Sequence, residues 1–158
     1  MKKSTIITDL QDMLDSNLPG VKYIGKDWGQ LYMENPPVGW PCILIDIEEV
    51  DPKPLIGRNE KDKAIVVLTV ANRRSNSSSA HASRISKEKA METLDLTDDI
   101  HGLVQGYAAE GKEYTPMNVV SFRKIYDFPG VECYAMRYIT SYNIDLENKD
   151  EPNELQTL

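Results

Sequence analysis

Two kinds of residue are nearly missing from this chain and one sign of charge is outnumbered, and each shortage closes off a class of chemistry. There are two cysteines in 158 residues, Cys42 and Cys133. They lack the CxxC spacing of a zinc site, and a disulfide would need an oxidising compartment for which the sequence carries no address. Both fall in predicted strands, where a lone thiol is a small buried apolar group. There are two histidines, His81 and His101, and neither has a ready set of partners. Asp98, Asp99 and His101 are close in sequence, but spacings of two and three on a helix do not bring three side chains to one point. Basic residues are also outnumbered: 18 Lys and Arg face 25 Asp and Glu, for a net charge of −7. Affinity for phosphate backbones comes from clustered cations that release counterions. No sequence-specific nucleic-acid partner is therefore expected, and basic or neutral proteins fit better.

Long apolar runs are absent as well. No stretch approaches the roughly 20 apolar residues of a membrane span. The opening Met1-Lys2-Lys3-Ser4-Thr5-Ile6-Ile7 starts like a secretion signal but meets Thr8 and Asp9 before an apolar segment develops. The expectation is a soluble, cytosolic protein. The length suits one domain with a real core and no metal or disulfide staple.

What is present is a pattern of helices and strands. Residues 4–17 place Ile6, Ile7, Leu10, Met13 and Leu14 at helical spacing with acids between them, Ser4 as the expected cap and Asn17-Leu18-Pro19-Gly20 as the stop. Short strands are expected at 21–24 and 30–34, around a turn at Lys26-Asp27-Trp28-Gly29. Residues 35–41 hold three prolines, which fix φ and restrict the residue before each, so they form a stiff lead into a strand at 42–50. There Ile43, Ile45 and Ile47 share one face, and Leu44, Asp46 and Glu48 the other. A polar loop at 51–63 precedes an almost continuously apolar stretch, 64–71, which suits a central strand covered on both faces.

Residues 73–85 are Ser-rich and too polar to pack, and read as a flexible loop. A helix is expected from about Ser86 to Ala109, with a break near Asp95-Leu96-Thr97, because Thr97, Asp98 and Asp99 look like a fresh N-terminus. Leu96, Ile100, Leu103, Val104 and Tyr107 share a phase that Met91 and Leu94 miss. A hairpin closes the pattern, with strands at 119–126 and 132–144 joined by Asp127-Phe128-Pro129-Gly130. In its second strand Tyr134, Met136, Tyr138, Thr140, Tyr142 and Ile144 form one face, and Cys133, Ala135, Arg137, Ser141 and Asn143 the other. Residues 145–158 carry five acids and one lysine, hence −4. The expected organisation is one domain over 1–144 with an acidic tail at 145–158. Its class is α+β, an antiparallel or mixed sheet of four to five strands with two helices packed on one face.

The chain offers little catalytic chemistry, and no catalytic, cofactor or metal residue is assigned. Gly102 and Gly106 lie inside the predicted helix, not in a phosphate loop. Their spacing permits close backbone approach, either packing on the sheet or a subunit contact. Each costs the helix roughly 1 kcal/mol relative to alanine. The serines lack a nucleophile-elbow pattern. Asp46 and Glu48 point the same way on a strand and would share a Mg²⁺ in a metal-dependent nuclease; the plainer reading is the charged outer face of an edge strand. The Glu-x-Lys element of such enzymes occurs as Glu110-Gly111-Lys112, but after a helix. The tyrosine stripe has no basic groove beside it to hold a nucleic-acid backbone, and reads as core, with some rings at a sheet edge or subunit interface.

Four places carry a family likeness: the opening amphipathic helix, Trp40-Pro41-Cys42-Ile43-Leu44-Ile45, the run Ile100-His101-Gly102-Leu103-Val104-Gln105-Gly106-Tyr107, and the closing strand 131–142. In these the sequence resembles the phage and prophage tail terminators, also called tail completion or minor tail proteins. The resemblance covers most of residues 4–144 by order of elements. It implies a non-enzymatic α+β subunit without cofactor that forms a ring, usually a hexamer, on the end of the tail tube. Such a ring stops tube polymerisation and presents a surface to the neck. Its partners would be further copies of itself, the tube protein and a neck or connector protein, and its place the virion tail, assembled in the bacterial cytoplasm. The Ser-rich loop and the acidic tail depart from the family pattern.

Charge adds one expectation. Arg73, Arg74 and Arg84 give the loop +3 against the tail's −4, so loop and tail of adjacent subunits can pair as a ring closes. Exposed pairs contribute under about 1 kcal/mol each and are screened by salt, so they set register while apolar surface does the joining. Arg73, Arg74, Arg84, Gly102 and Gly106 are thus the candidate interface residues, and an acidic lumen would let DNA pass. Two other classes stay open: the nuclease on Asp46 and Glu48, and a small acidic adaptor or inhibitor of a basic protein.

Overall fold

Alternating apolar residues in four of the strands need a cover on at least one face, and two amphipathic helices provide it. The computed structural model describes residues 1–50, 61–74, 76–111 and 113–143. Among these the order is α1 (Lys3–Asn17), β1 (Tyr23–Lys26), β2 (Cys42–Glu49), β3 (Lys61–Arg73), α2 (Arg84–Val104), β4 (Asn118–Ile125) and β5 (Val131–Asn143). The strands form one sheet in the order β1-β2-β3-β5-β4. β1 runs parallel to β2, and the other neighbours are antiparallel, so the sheet is mixed. The α+β class, the five strands and the two helices on one face agree with the sequence pattern.

The main core lies between that face and the helices. Ile6, Leu10 and Leu14 of α1 and Ile100 and Val104 of α2 meet Ile43, Ile45, Val66, Leu68, Met136 and Tyr138. Each such fully buried side chain contributes about 1.5–3 kcal/mol relative to exposure. β5 puts its tyrosine face inward as expected: Tyr134, Tyr138 and Tyr142 are buried. β3 is the central strand, but its two faces differ. Ala64, Val66, Leu68 and Val70 are buried under the helices, whereas Ile65, Val67 and Thr69 are half-covered. The far face is covered at one end by residues 27–41, where Leu31, Cys42, Leu44, Ala71 and Cys133 make a second, smaller core.

Several local expectations are corrected. Residues 30–34 do not return as a strand; Gln30–Tyr32 is a single 3-10 turn. The Gln30 side chain accepts from the Trp28 N–H at 2.9 Å and donates to the Lys26 carbonyl at 2.9 Å, while Asp27 Oδ1 accepts from the Gly29 N–H at 2.9 Å. Such local side-chain bonds outcompete a ladder. The first strand sits at Tyr23–Lys26, two residues later than expected. α1 starts at Lys3, so Ser4 lies within its first turn and is not the cap. Gly39 allows the 35–41 lead to pass Lys22, whose Cβ would stand 2.7 Å from an added Cβ.

α2 is continuous, without a break at 95–97, and is capped about four turns before Thr97 by Ser83, whose Oγ accepts from the Ser86 N–H. The Thr97 hydroxyl donates back to the Leu94 carbonyl at 2.6 Å, satisfied within the helix instead of starting one. The helix ends at Val104, short of Ala109, because Gly106 takes a left-handed φ of 76° and gives its N–H to the Met117 carbonyl. Gly106 is therefore a helix stop, not a helical residue. Gly102 is helical, but an added Cβ would meet nothing within 4 Å, so tight packing on the sheet does not account for it.

Candidate assembly surface

α2 lies over the middle of the sheet and leaves the inward face of β4 uncovered. The β4–β5 register places Val119 opposite Tyr138, Phe122 opposite Met136 and Lys124 opposite Tyr134, so these β4 residues share the helix-facing side. A bulge between Val119 and Ser121 puts Val120 out of register, and that residue is 54% exposed. Phe122 stacks on Tyr134 with ring centroids 5.2 Å apart, yet remains 50% exposed. Across from it, α2 turns Leu94, Thr97, Asp98 and His101 to the same gap, closing a groove of about 360 Å³ floored by Met136. Met91 and Leu94, the two residues out of phase with the core stripe, are exposed on this flank. Their misfit follows from this place: they extend the apolar side of α2 beyond the sheet it covers.

His101 closes one end of the groove. Its Nδ1 lies 2.9 Å from the Tyr138 hydroxyl, and burial pushes that phenol up to about 12. Tyr138 is thus neutral at physiological pH and serves as a hydrogen-bond partner, not a base. Asp98 lines the same groove while Asp99 lines a different hollow, beside Leu96 and the 17–21 turn, so the three titratable residues do not converge.

Farther along α2, and sharing Leu94 with the groove, a second cleft of about 420 Å³ opens at the Arg73 end of the sheet. Arg74, Lys89 and Lys124 line it against Glu92 and Glu132, three cations to two acids in a chain that is acidic overall, and Arg73 adds to its wall. Lys124 sits over the rings of Tyr134 and Tyr126, 5.5 and 5.6 Å from their centroids, and Arg73 lies 5.5 Å over Trp40. The Glu132 carboxylate accepts the Tyr134 hydroxyl proton, and burial followed by that acid pushes the Tyr134 pKa up. Of the three loop arginines, the structure brings Arg73 and Arg74 together here. Arg84 instead starts α2 and pairs with Glu88 at 3.5 Å, both exposed. Sequence reasoning misses Lys89 and weighs Lys124 only with Arg137 as a cation beside the tyrosine stripe, since one lysine stands mid-helix and the other on an edge strand and only the fold joins them.

The remaining candidates are placed as follows. Asp46 and Glu48 share the far face of β2. Asp46 Oδ1 accepts from the Ile47 N–H at 2.9 Å, and Glu48 is ion-paired with Arg137 of β5 across β3. No group of three His, Cys, Asp or Glu side chains able to hold a metal occurs among the described residues. Glu110 is exposed in the turn after α2, and Lys112 lies outside the described residues. Cys42 and Cys133 are free and buried, with Ala71 of β3 between them in register, and burial pushes each thiol up to about 12. The Ser-rich stretch is exposed and knits itself into turns: the Ser77 N–H and carbonyl both bond the Ser86 hydroxyl at 3.1 Å. Residues 51–60 and the expected tail at 145–158 lie outside the described residues. Among the described residues no helix is long and apolar enough to cross a membrane.

No family model matches the chain, and a search of curated proteins returns no match.

Proposed function

We propose that this chain is a virion structural protein of a phage or prophage tail, a subunit that assembles into a ring of six at the end of the tail tube. The ring ends tube polymerisation and joins the tail to the neck. The tail-terminator likeness supplies the tail context, and the α+β order of elements agrees with it. The observation that carries the assembly part is the groove between α2 and β4. Leu94, Val119 and Phe122 line it and are exposed, with Met91 and Val120 exposed nearby on the same helix and edge strand, and clustered apolar exposure at a strand edge marks a surface that another protein covers. Copies of the same chain are the simplest cover, and a contact that repeats head to tail closes into a ring.

Light scattering over a concentration series, with negative-stain images of the largest species, tests this. Closed rings of about six subunits are expected. A monomer at every concentration, both alone and with tube protein, would overturn the ring and favour the acidic adaptor. Mg²⁺-dependent DNA cleavage abolished by Asp46→Ala would replace it with the nuclease.

A further inference from the structure

We infer that the cationic cleft at the Arg73 end of the sheet is the docking site for the acidic segment 145–158 of a neighbouring copy. The inference rests on the assembly reading and adds to it which charged surfaces meet.

The cleft is defined by fixed elements. Arg74 follows the end of β3, Lys89 projects from α2, and Lys124 comes from β4, with Tyr134 at the base, while the Arg73 guanidinium is turned to Trp40. An anionic chain entering there would meet three cations and two acids, a net attraction that a neutral segment would not feel. The acidic segment fits in sign and density: Asp145, Glu147, Asp150, Glu151 and Glu154 with Lys149 leave it at −4. Its sequence offers a partner mainly charge, with few apolar side chains between the acids.

Reach decides between its own chain and a neighbour. The cleft lies at the start of β5, beside Glu132 and Tyr134, whereas the acidic segment leaves from the other end of that strand, after Asn143. From Tyr134 to Asn143 the strand covers about 30 Å at roughly 3.3 Å per residue. Asp145, Glu147 and Asp150 extend at most about 25 Å beyond Asn143, and Glu151 about 29 Å, at 3.3–3.6 Å per residue. Glu154, about 36–40 Å along the chain, attains the distance by doubling back at about four fifths of full stretch. On its own chain the segment therefore cannot lay its acids in the cleft together; a second copy, whose Asn143 end is placed near the cleft, can.

The test is zero-length carbodiimide cross-linking of the full chain, made as an equal mixture of ¹⁴N- and ¹⁵N-labelled protein. This reagent joins only amines and carboxylates already in contact, and Lys89 and Lys124 provide amines inside the cleft. The expected result is mixed-isotope peptides linking Lys89 or Lys124 to Glu147, Asp150, Glu151 or Glu154. Their yield should fall at least tenfold in Arg73→Glu/Arg74→Glu, which reverses the cleft's charge and keeps both amines. It should fall likewise for the unaltered chain when salt is raised from about 0.05 to 0.5 M, where the Debye length shrinks several-fold, so the reading does not depend on the variant folding. Light scattering in the same buffer separates the two ideas. An assembled chain without these links, or with links confined to single chains, overturns the docking alone. A chain that stays monomeric, both alone and with tube protein, overturns the assembly reading and the docking with it.

Discussion

At the β1 edge the chain closes its own sheet, and at the β4 edge it does not. β1 is four residues long, and the Gln11 side chain donates to the Ile24 carbonyl while buried Gln30 donates to that of Lys26. The 27–41 segment then folds over the far face beside it. β4 is eight residues long, bulged, and flanked by an uncovered groove; Gln105 holds its beginning through the Val119 N–H, and beyond that Val120 and Phe122 are half-exposed. Edge strands are hazards unless blunted. One edge is blunted by glutamine side chains and a loop, whereas the other keeps apolar surface and two cations, Arg123 and Lys124. The contrast locates where a second chain gains most by binding.

Breaking the open edge has the largest expected effect. Phe122→Asp puts a charge into the groove's apolar rim, and association should weaken 30-fold or more, about 2 kcal/mol. Light scattering reads the loss, while circular dichroism should show the fold retained, since half of the ring is already in water. Unchanged assembly would remove the groove from the interface.

The closed edge should answer differently. Gln30→Ala removes the partner of the Lys26 carbonyl and the Trp28 N–H in a part-buried site and empties the buried Gln30 position, at a cost of about 1–2 kcal/mol in urea unfolding. Assembly of the folded fraction should keep its concentration dependence. A shift in oligomer mass without loss of stability would show that the β1 edge also carries a contact.

The smallest effect sharpens the comparison as a control. Lys26→Glu changes an exposed residue at the end of β1, and both stability and assembly should move by less than about 0.5 kcal/mol. A large loss of assembly there would move the interface from β4 to the other side of the sheet.

The sequence made most of the fold legible because the period-2 and helical apolar patterns are strong where burial is one-sided. The tyrosine face of β5, the apolar β3 and the α1 stripe all read directly. What it hid were features settled by side chains bonding to nearby backbone. Gln30 and Asp27 turned an expected strand into a 3-10 turn, and Thr97 bonding back to Leu94 let α2 run through an apparent start signal. Gly106 needed its φ to be seen as a stop. The groove left one trace in the sequence, the phase misfit of Met91 and Leu94. The cationic cleft left less, since Arg73, Lys89 and Lys124 come from three elements that only the strand order β3-β5-β4 brings side by side.

Tyr114 donates to the Asp9 carboxylate at 3.0 Å and Tyr107 to the Asp9 carbonyl at 3.4 Å, across sequence separations of 105 and 98 residues. β5, the final strand described, is inserted beside the central β3 and inside β4. The timing of folding follows from this. While the chain is being synthesised, α1 has no tyrosine straps to dock under and β3 has one of its two neighbours. Contacts this distant in sequence make folding slow, and the two tyrosine straps on α1 form only once the last third of the chain has left the ribosome.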